Sequence, residues 1–200
     1  MKTLDVSRET LNCFSQYETL LSKWNRKINL VSKNTLGDIW ERHFLDSGQI
    51  INHIDASGKK WVDVGSGAGF PGLVVALLLR DRKIDIDLTL VEKNQKKVFF
   101  LNEVIRQFDL SVKVVHNNIG DIETLNADIL TARAFSELNE LIEIAYHHGK
   151  RGCICMFLKG ENYSLELDKT LNYWFFDYDV LDSLTNSSGK IIRVKNIFKR

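Results

Sequence analysis

Residues 62–72 read VDVGSGAGFPG, and within that run Gly65, Gly67 and Gly69 recur at every second position. Glycines so spaced let a chain leave a strand, turn sharply and approach a ligand closely, because no Cβ stands in the way. The chemistry on offer is the cradling of a cofactor. Pro71 suits the first turn of a following helix, where its missing N–H would have no partner, and residues 73–79 continue as an apolar helical run. About twenty residues beyond the loop, Glu92 ends the apolar run Leu88-Thr89-Leu90-Val91. A carboxylate at the C-terminal end of a second parallel strand can accept hydrogen bonds from both hydroxyls of a ribose.

Spacing discriminates among cofactors. A dinucleotide fingerprint needs a glycine at position 70, where Phe70 stands, and a phosphate-cradling loop needs Gly-Lys-Ser/Thr, which does not follow. What remains, D-x-G-x-G-x-G from Asp63 to Gly69, resembles motif I of the class I S-adenosylmethionine-dependent methyltransferases. In that motif the glycines admit the methionine part of the cofactor.

The surrounding elements must put this loop at the edge of a sheet. Leu11, Phe14, Leu21, Trp24 and Ile28 lie three, four or seven apart and predict one amphipathic helix over 7–27. Two shorter helices are expected at about 36–44 and 45–54. From residue 60 onward β-rich runs alternate with helical segments, with strands near 60–64, 86–92, 111–115, 127–132, 153–158, 174–181 and 190–197. The last two are separated only by 182–189, which contains Asn186, Ser187, Ser188 and Gly189, so a hairpin closes the sheet. The expected fold class is α/β, a doubly wound Rossmann-like sheet of seven strands, its last strands forming an antiparallel hairpin. A single domain over 1–200 is expected, with an N-terminal helical cap over 1–56 and an α/β core over 57–200.

Composition agrees with one well-filled domain: 200 residues, 44% hydrophobic, one proline. The polar opening and the lack of a long apolar stretch predict a cytoplasmic protein with no membrane contact, and a monomer is expected. Cys13, Cys153 and Cys155 are an odd count without ligand spacing, and His147 and His148 are adjacent and diverge on a helix. Reduced thiols and no metal follow. A net charge of +1 argues against a strongly cationic nucleic-acid binder, but positive residues gather locally. Examples are Arg80, Arg82 and Lys83; Lys93, Lys96 and Lys97; Lys150 and Arg151; and Lys190, Arg193, Lys195, Lys199 and Arg200.

The methyl acceptor is narrowed first by exclusion. Pro71 is already used by the loop, so neither an Asn/Asp-Pro-Pro-aromatic amino-methylation loop nor a nucleophilic cysteine after a proline is available. Four further motifs then stand in order: Asn29-Leu30-Val31-Ser32, Arg42-His43-Phe44-Leu45-Asp46-Ser47, Thr131-Ala132-Arg133-Ala134-Phe135-Ser136 and Leu158-Lys159-Gly160. With the glycine loop they resemble the ribosomal RNA small subunit methyltransferase G family, also called glucose-inhibited division protein B. The resemblance implies S-adenosyl-L-methionine as cofactor and methylation at N7 of a guanine in the 530 loop of 16S rRNA, within the small ribosomal subunit. It places cofactor contacts on Gly65, Phe70, Ile119, Gly120 and Arg133. Gly48, Gly120 and Asp121 depart from the family's usual residues.

Guanine N7 carries a free lone pair, so its methylation requires no general base and depends on holding N7 about 3 Å from the methyl group, in line with the leaving sulfur. Asp46 matches the N1–H and N2–H₂ donors of guanine, and His43 and Ser47 are placed on its face as further positioning groups. Arg133 is assigned to the cofactor or to an RNA phosphate, since bonding N7 would block the attacking lone pair. Arg42, Lys96, Lys97 and Lys159 are candidate RNA contacts. Plainer readings stand beside these: an Arg42–Asp46 helix pair, a structural ion pair for Arg133, a core position for Phe70 and a solvated Lys159. A small-molecule methyltransferase and a non-enzymatic RNA-binding protein with the same fold remain as alternatives.

Overall fold

Helix α1 (Arg8–Asn25) starts at Ser7, whose extended backbone and side-chain oxygen, accepting from Thr10 N at 3.2 Å, make a regular N-cap. The computed structural model describes residues 4–200. The inward stripe of α1 is Thr10, Phe14, Tyr17 and Leu21. Leu11 sits one step around the helix from Thr10 and is 42% exposed, so it lies off the stripe predicted for it.

After α1 the Asn25 side chain accepts from Leu30 N at 2.8 Å and Val31 N at 3.0 Å and donates to the Val31 carbonyl, fixing the return of the chain. A 3₁₀ turn (Lys33–Asp38) leads into a π-helical turn (Trp40–Leu45), a short helix α2 (Asp46–Gly48) and a second 3₁₀ turn (Gln49–His53). The sequence predicted a helix break near Phe44. None occurs: with no capping side chain at that point, the chain winds on and only its pitch changes.

The strands are β1 (Lys60–Val64), β2 (Asp87–Glu92), β3 (Val112–His116), β4 (Ala127–Arg133), β5 (Gly149–Lys159), β6 (Trp174–Asp182) and β7 (Lys190–Lys199). They lie in the order β3-β2-β1-β4-β5-β7-β6. The first five are parallel, β7 runs antiparallel to β5, and β6 pairs antiparallel with β7. The closing hairpin is therefore as expected, with its second strand inserted between β5 and β6. Strand β5 begins at Gly149 rather than near 153, and the register of its pairing with β4 shifts between Ala127 and Ile129.

Alternation in β1 assigns the two faces of the sheet. Trp61 points into the cluster formed by the cap, α1, α3 (Gly72–Asp81) and α4 (Gln95–Phe108). Val62 and Val64 point into the other, with α5 (Leu138–His148) and α6 (Tyr163–Thr170). Helix α3 is buried continuously from Gly72 to Leu79, because α1 covers the side that the sheet leaves free. Cys153 and Cys155 are buried free thiols with sulfurs 4.0 Å apart, while Cys13 is half-buried. Among the described residues no cluster suited to a metal ion exists, and no helix is long and apolar enough to cross a membrane.

Leu77 is fully buried in α3. Leu77→Ala should lower the free energy of unfolding by about 2–5 kcal/mol in a urea titration, the range for a leucine removed from a packed core.

Candidate active site

The glycine loop follows β1 and is held from three sides. Gly65 N and Ser66 N donate to the Val91 carbonyl at the end of β2, and Gly67 N donates to Glu92 Oε2 at 2.9 Å. From above, the Tyr17 hydroxyl of α1 donates to the Ala68 carbonyl at 2.5 Å. From below, Asp63 accepts from Gly72 N at 3.2 Å at the start of α3 and from the Thr131 hydroxyl at 2.8 Å. Thr131 is the β4 residue opposite Asp63, and it in turn accepts from Trp61 Nε1 at 3.0 Å.

Gly65, Gly67 and Gly69 all have positive φ, and Gly65 and Gly67 line hollows at the C-terminal strand ends, but only at Gly67 would a Cβ stand in open space. A Cβ on Gly65 would run into the Phe135 ring, and one on Gly69 into the Tyr17 hydroxyl and Leu73. A Cβ on Gly67 would meet nothing nearer than the Gly65 carbonyl at 3.7 Å. Close packing therefore explains two of the glycines and open space the third, whereas the sequence had given all three to the ligand.

Two connected hollows lie along the C-terminal strand ends. The smaller, about 200 Å³, is lined by Gly65, Glu92, Lys97, Asn118, Ile119 and Phe135 among others. The larger, about 680 Å³, lies between the cap and the core and is lined by Gly67, Arg42, His43, Asp46, Phe70 and Arg133 among others. Lys97 and Lys159 also reach it.

Arg133, at the end of β4, organises the larger cleft. Its Nη1 donates to the Arg42 carbonyl at 2.9 Å and to Asp46 Oδ2 at 3.2 Å, and its Nη2 meets His43 Nδ1 at 2.7 Å. Guanidinium has no acceptor, so His43 Nδ1 must be the unprotonated nitrogen and Nε2–H donates to the Thr35 hydroxyl at 2.9 Å. Burial, with Arg133 and Arg42 nearby, lowers the His43 pKa to about 3. The imidazole is thus a neutral plate, stacked on Phe70 with centroids 4.9 Å apart and 12° between planes. Tyr17 stacks on the same ring at 5.8 Å. Phe70 is thereby both a core aromatic and a cleft wall.

Asp46 is saturated. Besides Arg133, it accepts at Oδ1 from Gln49 Nε2 at 3.0 Å and from the Ser183 and Thr185 hydroxyls at 3.2 and 2.9 Å. Gln49 Oε1 also accepts from Leu184 N at 2.8 Å, so the connection between β6 and β7 is latched onto the cap. The helix pair with Arg42 does not form, because Arg133 takes the carboxylate.

Other candidate residues fall elsewhere. Ser47 is fully buried with no hydrogen-bond partner for its hydroxyl among the described residues: one step along the helix from Asp46 turns it into the core. Asp63 is fully buried behind the loop and shapes it without facing the cleft. Gly120 is exposed in the turn after β3 (Ile119–Asp121) and lines neither hollow, although Ile119 does. Lys159 is not a free cation: its ammonium donates to the Ser136 carbonyl at 2.8 Å and pairs with Glu166 at 2.6 Å. Lys96 is exposed and lies outside both hollows.

Tyr17, Gln49, Ser183 and Thr185 were not singled out from sequence. Tyr17 could have been, since it completes the stripe of Phe14 and Leu21 and a core tyrosine needs a partner for its hydroxyl. The two loop hydroxyls carry no local signal.

A seven-stranded sheet with this order, a glycine loop after its first strand and an acidic residue ending its second define a class I S-adenosylmethionine-dependent methyltransferase fold. A SAM-dependent methyltransferase from Aquifex aeolicus superposes with a TM-score of 0.60 at 14% identity, covering 88% of this chain and 97% of that one. The sequence profile of rRNA small subunit methyltransferase G matches residues 10–194. Relatives of that name from Jannaschia sp. and Paramagnetospirillum magneticum are 40% and 39% identical, spanning 95% and 96% of this chain and 90% and 91% of their own lengths. The chain belongs to the ribosomal RNA small subunit methyltransferase G family.

Burial raises the Asp63 pKa to about 6, against the lowering effect of Thr131. Because the folded value exceeds the unfolded one, the group favours folding most below about pH 4, and that contribution is lost as the pH rises through about 6. Replacing it by a non-titrating amide removes the dependence. The stability difference between wild type and Asp63→Asn, from urea unfolding, should therefore move against wild type by up to about 3 kcal/mol between acid and neutral pH. A difference independent of pH would show that the carboxyl titrates normally.

Proposed function

We propose that the chain transfers a methyl group from S-adenosyl-L-methionine to N7 of a guanine in the 530 loop of 16S rRNA. The observation that carries this reading is the state of the cleft's imidazole: His43 is held neutral and its one lone pair is engaged by Arg133. A site so arranged does not remove a proton, and so suits an acceptor that already presents a lone pair. The cofactor, when bound, supplies an electrophilic methyl on a sulfonium.

The residues present fit that cofactor. Gly67 leaves the loop backbone open to the cleft, each Glu92 oxygen holds one backbone N–H and retains capacity for a ribose hydroxyl, and Ile119 gives the small hollow an apolar wall for adenine. Gly65, which lines both hollows, and Gly69 also let Phe135 and Tyr17 close on the loop.

On the acceptor side, Asp46 offers a carboxylate to guanine N1–H and N2–H₂, taking these donors in exchange for the Ser183 and Thr185 hydroxyls. His43 and Phe70 present flat faces beside it, suited to a purine that becomes cationic on methylation. Arg133 keeps its donors on Arg42, His43 and Asp46, which leaves N7 unobstructed. Arg42, Lys96 and Lys97 remain available to phosphates. Rate enhancement then comes from position and exclusion of water rather than from proton transfer.

Labelled cofactor incubated with small subunits that lack the modification should place label on N7 of one guanine; label on a small molecule and never on rRNA would overturn the reading. In the same assay Asp46→Ala should keep cofactor affinity within a few-fold and lose on the order of a hundredfold in kcat/KM, the scale of a misplaced substrate. Gly65→Val should abolish both. Tyr17→Phe keeps the aromatic stack and removes the bond to Ala68. It should weaken cofactor binding, measured calorimetrically, by about 1 kcal/mol with little change in kcat.

A further inference from the structure

Residues 24–37 and 93–102 carry Arg26, Lys27, Lys33, Lys93, Lys96 and Lys97 and contain no aspartate or glutamate, in a chain whose net charge is +1. Among the described residues none of these six cations makes an ion pair, and five of them are exposed, with Lys97 half-buried at the cleft edge. The two segments are neighbours because α1 and α4 pack antiparallel. Gln107 donates to Gln16 at 3.2 Å toward one end, and Trp24 meets Phe100 edge-on at 5.6 Å toward the other. The chain leaving α1 then passes through Leu30, Val31 and Ser32, which line the larger cleft together with Lys97.

On α4 beside these cations Phe99 is 57% exposed, although the next residue, Phe100, is fully buried. Lys96 lies one turn before it on the same helix face. Glu103, one turn after it, is held by Arg106 at 2.8 Å and leaves the cations uncompensated. An aromatic ring left more than half exposed, on a helix whose unpaired cations include one at the cleft edge, has the composition of a single-strand nucleic-acid surface. Phosphates are neutralised by the cations, and an unstacked base finds a π-face.

We infer that the shelf formed by the end of α1 and the start of α4 binds the unpaired RNA strand next to the target guanine. Its phosphates lie on Arg26, Lys27 and Lys96, and one base stacks on Phe99. This rests on the rRNA reading above and adds where the strand leaves the cleft.

The test measures KM for unmodified 16S rRNA, kcat, cofactor Kd and thermal midpoint. Phe99→Ala should raise KM for rRNA about tenfold with the salt dependence, cofactor Kd and midpoint unchanged, and Phe99→Trp should restore it. The double change Arg26→Ala, Lys27→Ala should instead flatten the slope of log affinity against log salt by about 1.4, the release expected from two single-strand phosphates. Phe198→Ala, which removes an aromatic 62% exposed on β7, serves as control and should change nothing. If wild type methylates rRNA and Phe99→Ala matches it in KM, the shelf assignment is wrong while the function stands. If wild type leaves rRNA unlabelled, the functional reading itself falls and the shelf assignment falls with it.

Discussion

One guanidinium ties the molecule's separate parts together. Arg133 ends a core strand, yet its donors are spent on the cap, at the Arg42 carbonyl, His43 and Asp46, while its carbon lies 4.9 Å from the centre of the Phe70 ring in the glycine loop. Exposed ion pairs contribute about 0–1 kcal/mol, whereas removing one partner of a buried pair costs about 3–5 kcal/mol. With side chains 15% and 21% exposed, the Arg133–Asp46 pair belongs nearer the second case. The same carboxylate then reaches the connection between β6 and β7. The cap, the cofactor loop and the closing hairpin are thus fixed to one another through a handful of charge-assisted bonds.

That arrangement decides what the cleft can do. The interaction that anchors the cap also takes the lone pair of His43, whose pKa is held near 3 by burial first and by the Arg133 charge second. Read along the chain, His43 is a positioning group three residues before Asp46. Its neighbours make it a wall instead. The structural demand for a bridging arginine and the chemical demand of a lone-pair acceptor are satisfied by the same geometry.

The sequence disclosed the half of the site built by backbone and concealed much of the half built by side chains. Glycine spacing, the apolar runs and Glu92 are local signals, and each came out in place. The sheet and its final hairpin followed from periodicity, because a strand's burial pattern is written in its own residues. Ser47 and Lys159 failed for a shared reason: their motifs were legible, but the direction of a side chain within an irregular helix, or its partner 7 residues along in sequence at Glu166, is set by tertiary packing. Asp46 lines the cleft, but its partners were not foreseen. Ser183 and Thr185 lie 137 and 139 residues away, and nothing local marks them. The uneven pitch of residues 39–53 escaped detection likewise, since a π turn has the composition of any helix.

The two halves also differ in how they tolerate change. A cofactor hollow defined by glycine backbone depends on torsion angles and close approach, so almost any side chain at Gly65 or Gly69 collides with Phe135 or Tyr17 whatever its chemistry. The acceptor half is a network on a cap and a loop, where each hydrogen bond can be exchanged for one of similar strength. The larger cleft is lined by both cap and hairpin, and there the fold relies on replaceable hydroxyls of Ser183 and Thr185 rather than on packed core. On the proposed function, a rigid cradle for the small molecule beside a wall made of exchangeable bonds is what a site needs when one partner is always the same and the other is a folded RNA that has to be admitted.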